Sequence, residues 1–189
     1  MYDELWHEQA AKTARILQII VGAMAAGASV FLVVVLTIGS QAKPLILPIP
    51  LAWLVVPFVG GELVARAVVL WNIARKGRRE IINGTYQPVD PRQRIGSPPA
   101  DIADTPPDPY RDAKYLLSVF QQGTIVSAAL FEGCAFFATI AYLIEGNPLS
   151  LGLAVLLVLA VAAHFPTQSR AIAWVERQLE RLQEEKVMQ

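Results

Sequence analysis

The stretch Ile16–Ala42 contains no charged residue. A run of this kind suits the hydrocarbon of a bilayer, which about 20 consecutive apolar residues cross as one helix. Three more such runs follow. Pro44–Gly61 is uncharged, and its apolar pattern resumes through Leu70. Tyr115–Ile144 is interrupted only by Glu132, and Gly146–Ser169 carries only His164. Four helices are predicted, near 16–40, 50–72, 116–144 and 149–166. Charged residues make up 17 % of the chain, against about 25 % in an ordinary soluble domain. The composition excludes a disordered chain, a collagen and a disulfide scaffold, since the lone Cys134 has no internal partner. Sixteen basic residues balance sixteen acidic ones, which argues against a nucleic-acid binder acting through bulk charge.

The first run does not read as a cleaved signal peptide. Its head is acidic (Asp3, Glu4, Glu8), the run is long, and Gly39-Ser40-Gln41 is a poor cleavage site. A retained helix is expected. Orientation follows from Lys and Arg. Lys12 and Arg15 precede the first span, and Arg170, Arg177, Arg181 and Lys186 follow the last. The connection between spans two and three, with the adjoining helix ends, holds Arg66, Arg75, Lys76, Arg78, Arg79, Arg92, Arg94, Arg111 and Lys114. The two remaining loops hold Lys43 alone. Both termini and the long connection are therefore expected on the cytoplasmic side.

The chain divides into a first transmembrane hairpin with cytoplasmic extensions (1–82), a proline-rich cytoplasmic linker (83–112), and a second hairpin with an amphipathic C-terminal helix (113–189). The linker holds Pro88, Pro91, Pro98, Pro99, Pro106, Pro107 and Pro109. Proline removes an amide donor and fixes φ, so an extended segment is expected there, a tether or a docking peptide for a cytosolic partner. Beyond Pro166, the residues Ile172, Val175, Leu179 and Leu182 recur at helical spacing and mark one apolar stripe. Such a helix lies on the membrane surface, packs on a partner or pairs in a coiled coil.

Small residues mark helix-packing faces: Gly22, Ala23, Ala26, Gly27 and Ala28, then Gly60-Gly61, then Ala128, Ala129 and Gly133. Lipid-embedded helices associate where such residues let backbones approach, so association with copies of the chain or with other membrane subunits is expected. An internal repeat is also visible. Ile19, Ala23, Gly27, Phe31 and Ile38 fall on Ile125, Ala129, Gly133, Phe137 and Ile144 at one constant shift. Arg66-Ala67 falls near Arg170-Ala171, and Trp71 near Trp174, at the exits of the second and fourth spans. The fold class expected is all-α, an integral membrane four-helix bundle of two duplicated hairpins.

Ionisable groups inside such a bundle are costly and should face its interior with a partner. At 1.5 Å per residue, Glu132 lies about 20 Å and Glu62 about 18 Å below the outer surface. Arg66 sits one turn beyond Glu62 in the favourable order for an i,i+4 ion pair. His164 lies near the Arg66 level, and Gln121 and Gln122 lie deeper. Glu132 has no basic neighbour on its own helix. It must be protonated, pair with Arg66 or His164 across helices, or bind a cation. Glu132 and Glu62 are thus the candidates for ion or proton handling, with Arg66, His164, Gln121 and Gln122 as their polar partners.

The run Ala129-Leu130-Phe131-Glu132-Gly133-Cys134-Ala135-Phe136-Phe137-Ala138-Thr139-Ile140-Ala141 resembles the ion-carrying helix of the proteolipid (c) subunits of rotary ATP synthases. That helix has an Ala-Leu-x-Glu-small core followed by an aromatic-rich apolar run. The resemblance covers this helix alone. It implies that Glu132 is the proton or sodium carboxylate. Other chemistry has no motif here. There is no phosphate-binding glycine loop, and His7 and His164 have no metal-ligand spacing. No cofactor or metal and no enzymatic activity are expected. The first expectation is a structural or accessory subunit of a membrane assembly; the second is a proton- or cation-translocating proteolipid-like protein.

Overall fold

A computed structural model describes residues 2–39, 50–85 and 109–188, with side chains from 6 and from 111 in the first and last of these. The described residues are helical, with no strand among them. The elements are α1 (Tyr2–Gly39), α2 (Leu51–Ile82), α3 (Pro109–Glu145), α4 (Pro148–Ala163) and α5 (Gln168–Val187). Three helices, α1, α2 and α3, are long and apolar enough to cross a membrane. The number is four if α4 and α5, separated by a short break, count as one span.

α2 and α3 run further than their apolar spans, so the basic cluster from Arg75 to Arg79 is helical. The helix of α3 begins at Pro109, inside the segment read as linker. The proline-rich stretch from 86 to 108 and the loop carrying Lys43 lie outside the described residues.

Helix ends leave amides and carbonyls without intrahelical partners, and local sequence supplies several of them. Gly146 ends α3 with φ +65°, a left-handed conformation that costs glycine little. Asn147 then accepts the Leu149 amide at 2.9 Å, and Pro148 occupies the first turn of α4, where its missing donor is no loss. Thr167 caps α5 in the same way, accepting the Arg170 amide. The start of α2 has no such local cap. Its Leu51 and Ala52 amides donate to the two carboxylate oxygens of Glu145, at the end of α3. A negative charge there also complements the positive end of the helix dipole.

The chain forms two compact units, each drawing on both halves of the sequence. One comprises 17–70 and 124–165. Its core includes Val21, Ala28, Leu32, Val55, Ala128, Phe131, Cys134, Ala135, Ala138, Leu157 and Val161. Here α1, α2 and α4 each present a narrow stripe: Val21, Ala28, Leu32 and Val35 on α1, Ala52, Val55 and Glu62 on α2, and Ser150, Ala154, Leu157 and Val161 on α4. Intervals of three, four and seven are those of a seam between nearly parallel helices. α3 is covered more broadly. The outward faces are apolar, with Ile19 73 %, Trp53 74 % and Val64 65 % exposed.

The other unit comprises 1–16, 71–123 and 166–189. Its core contains Ala10, Ile81, Ala113, Leu116, Leu117, Ala171, Val175 and Leu182. α5 packs into this unit through Ala171, Val175, Gln178 and Leu182. The stripe read from the sequence is therefore rotated slightly, and Ile172 and Leu179 flank it rather than lead it. Arg78 reaches α5, donating to Gln178 Oε1 at 2.7 Å and to Glu185 Oε1 at 3.0 Å. Gly77 permits close packing of α2 on α3: a Cβ there would lie 3.0 Å from a Val119 methyl.

Replacing Glu145 by alanine orphans two amides of α2. Glu145→Ala should lower the unfolding free energy by about 1–3 kcal/mol, with a smaller loss for Glu145→Gln, which keeps one acceptor. Thermal unfolding of the full chain in mild detergent reads this directly. An unchanged midpoint for Glu145→Ala would show that the cap contributes nothing.

Candidate functional site

The polar residues singled out in the sequence do not gather into one cluster. Within the unit of 17–70 and 124–165, three elements bring Glu62 and Arg66 of α2, Phe131 and Cys134 of α3, and His164 at the end of α4 into one neighbourhood. Each lands there through helical spacing. Glu62 and Arg66 are one turn apart on the α2 stripe that holds Val55, and Phe131 and Cys134 are one turn apart on α3.

His164 has both ring nitrogens engaged. Its Nδ1 lies 2.7 Å from the Ala160 carbonyl oxygen. A carbonyl only accepts, so Nδ1 bears the proton. Its Nε2 faces Nη2 of Arg66, which only donates, so Nε2 presents its lone pair. The geometry assigns a neutral imidazole in one tautomer. The Arg66 guanidinium also lies 4.8 Å from the centre of the Phe131 ring. That ring in turn sits 4.9 Å from the imidazole. The cation is thus held by an imidazole lone pair and an aromatic face rather than by a carboxylate.

Glu62 is 7 % exposed. The expected i,i+4 ion pair between Glu62 and Arg66 is absent from the ion pairs of the described residues. Arg66, Cys134 and His164 are the polar groups around this carboxyl group, and the Cys134 thiol faces it as a weak donor; neither oxygen has a nitrogen or hydroxyl partner at hydrogen-bond distance. The Nε of Arg66 is unpartnered. One turn of helix therefore separates a carboxyl group faced only by a weak thiol donor from a guanidinium with an open Nε donor. The planar end of Arg66 is engaged by His164 and Phe131.

Glu132 is half-buried and points elsewhere. A Cβ on Gly27 would lie 3.7 Å from its Oε1, so the carboxylate runs along the small face of α1. Glu132 does not share the Arg66–His164 neighbourhood through any ion pair among the described residues. Gln121 and Gln122, half-buried and exposed, belong to the other compact unit. Sequence reasoning missed Phe131 and Cys134 as neighbours of the charged pair. Cys134 lies two residues beyond Glu132, and its place opposite Glu62 depends on how α3 is rotated, which residue type does not reveal.

Among the described residues, no group of three or more His, Cys, Asp or Glu side chains is placed to hold a metal ion. No family model, curated protein or solved structure matches the chain.

Removing His164 leaves a half-buried guanidinium without its acceptor, at a cost of about 1–3 kcal/mol. His164→Phe should destabilise the chain in thermal unfolding. Arg66→Met combined with His164→Phe should recover much of that loss, because both polar partners leave together. Strict additivity in the double-mutant cycle would show that the two side chains are not coupled.

Proposed function

We propose that the chain is a multi-pass membrane protein of four spans, with both termini and the 83–112 segment on the cytoplasmic side. On this reading it catalyses no reaction. It acts as a structural or accessory subunit of a membrane assembly, joined to copies of itself or to other subunits.

One observation carries the reading. Among the described residues, α2 meets the rest of its unit through a single stripe, and its opposite side is open. Gly60 and Gly61 lie there, with nothing within 4 Å of a Cβ built on either. Exposed Trp53, Leu63 and Val64 flank them. A glycine pair in an outward apolar face suits the close approach of a second membrane helix. The distribution of Lys and Arg supports the orientation. Burial supports two duplicated hairpins only along the middle of α1 and α3. Ala23 and Ala129 are both exposed, Gly27 and Gly133 are both exposed, and Phe31 and Phe137 are both half-buried, whereas Ile19 and Ile38 are exposed where Ile125 and Ile144 are half-buried. The span exits differ: Arg66 is half-buried where Arg170 is exposed, and Ala67 is exposed where Ala171 is buried.

Gly60→Leu with Gly61→Leu should block the approach. In mild detergent, native mass spectrometry should show the wild-type chain in assemblies larger than 20.7 kDa and the variant as single chains. A wild-type chain that is solitary in detergent, and that cross-links to nothing in native membranes, would overturn the reading.

A second reading rests on Glu62. An intramembrane carboxyl group faced by a weak thiol donor, beside an arginine and a histidine, has the parts for proton or cation handling. This moves the centre of that reading from Glu132, where the proteolipid resemblance placed it, to Glu62. In proteoliposomes under an imposed pH gradient, Glu62→Gln should abolish flux that Glu132→Gln leaves intact. Absence of flux from the wild-type chain removes this second reading and leaves the first.

A further inference from the structure

The cytoplasmic end of α2 carries a compact basic and aromatic surface. Trp71 is 57 % exposed, and the guanidinium of Arg75 lies 4.8 Å over its ring. Arg79 follows one turn later and is also exposed. Lys76 lies beside them, its charge offset by Glu80 at 3.8 Å. Glu80 in turn accepts a hydrogen bond from the Tyr115 hydroxyl. Arg75 and Arg79 form no ion pair among the described residues. An exposed surface thus presents two guanidiniums on consecutive turns of one helix, with no ion-paired acid among the described residues.

Position along the helix indicates what such a surface meets. α2 begins at Leu51. At 1.5 Å per residue, Trp71 lies about 30 Å further along the axis, which is the thickness of the hydrocarbon core. Trp71 therefore falls at the interface level that tryptophan favours. Arg75 and Arg79 fall about 6 and 12 Å beyond it, at headgroup depth and its edge. Val64 and Val68 share this face by helical spacing and are exposed and apolar. The same side of one helix passes from apolar residues to an interfacial tryptophan to two arginines.

We propose that Trp71, Arg75 and Arg79 form a binding site for the phosphodiester headgroup of an anionic phospholipid in the cytoplasmic leaflet. The inference rests on the membrane orientation proposed above. Guanidinium forks match phosphate oxygens in pairs. The Trp71 ring holds the Arg75 fork above the interface and limits the side-chain freedom that binding has to remove. Zwitterionic headgroups carry their own cation and fit this surface poorly.

The test uses the full chain purified in mild detergent and titrated with phosphatidylglycerol or phosphatidylcholine, with bound lipid counted by native mass spectrometry. Phosphatidylglycerol should bind and phosphatidylcholine should not. The double variant R75Q/R79Q should weaken phosphatidylglycerol binding about thirtyfold, from the order-of-magnitude contribution of each juxtamembrane basic residue. R75K/R79K, which keeps the charge without the fork, should fall between the two, and K12Q/R15Q should match the wild type. Equal binding of both lipids, R75Q/R79Q binding within twofold of the wild type, or displacement of the lipid by inorganic phosphate at millimolar concentration would each overturn the proposal. Alkaline carbonate extraction of native membranes separates this failure from failure of the membrane reading. A chain that resists extraction but shows no preference for phosphatidylglycerol refutes the headgroup site alone. A chain that is extracted refutes the orientation on which the site rests.

Discussion

Backbone amides in an apolar run need partners that apolar side chains cannot supply. The described helix ends answer that need. Within the helices the backbone satisfies itself, and difficulty arises only at the ends. At one sharp reversal, Gly146 closes α3 and Asn147 opens α4 with no help from elsewhere. At the start of α2 the chain has Pro50 and no polar side chain beside it, and the amides of Leu51 and Ala52 are taken by Glu145 of α3. A helix that cannot cap itself is thereby fixed in register against another. The placement of Glu62 and Arg66 further along α2 follows from that register.

α3 stands apart in the way it packs. The other helices of its unit each contribute one stripe to the core and leave the rest of their surface open. α3 buries Ala128, Phe131, Cys134, Ala135, Ala138 and Ala141, small residues for the most part, so neighbours come close to its axis. One of its few large core residues, Phe131, has a further role. Its ring face holds the Arg66 cation while the imidazole of His164 takes a guanidinium proton donor. The arginine is accommodated without a carboxylate, and Glu62 is left with a weak thiol donor as its facing group. A buried carboxyl group with so few partners is a costly arrangement.

Cys134 and Glu132 illustrate how much of this neighbourhood could be read from residue types. Glu132 is the one charge inside an otherwise apolar run, and at 1.5 Å per residue it lies level with Glu62. Depth along an axis says nothing about azimuth. α3 turns Glu132 along Gly27 of α1 and turns Cys134, two positions later, toward Glu62. The i,i+4 spacing of Glu62 and Arg66 permits an ion pair, yet the planar end of Arg66 meets His164 and Phe131. Neither of these is near Arg66 in sequence, so nothing local announced the outcome.

Sequence by itself determined the helical class, the apolar spans, the short reversal at Gly146-Asn147 and the existence of an amphipathic helix after Pro166. These follow from periodicity, charge-free length and turn chemistry, all local properties. Tertiary structure decided that α2 and α3 continue well past their apolar spans, because packing against Ala10, Leu116 and Val175 stabilises turns whose own sequence is charged. It decided that α5 packs within its own chain, that Glu145 caps a distant helix, and that Arg66 meets His164 rather than Glu62. Each of these depends on the rotation of one helix about its axis relative to another. That rotation is set by the summed contacts of whole faces, which no single residue or spacing records.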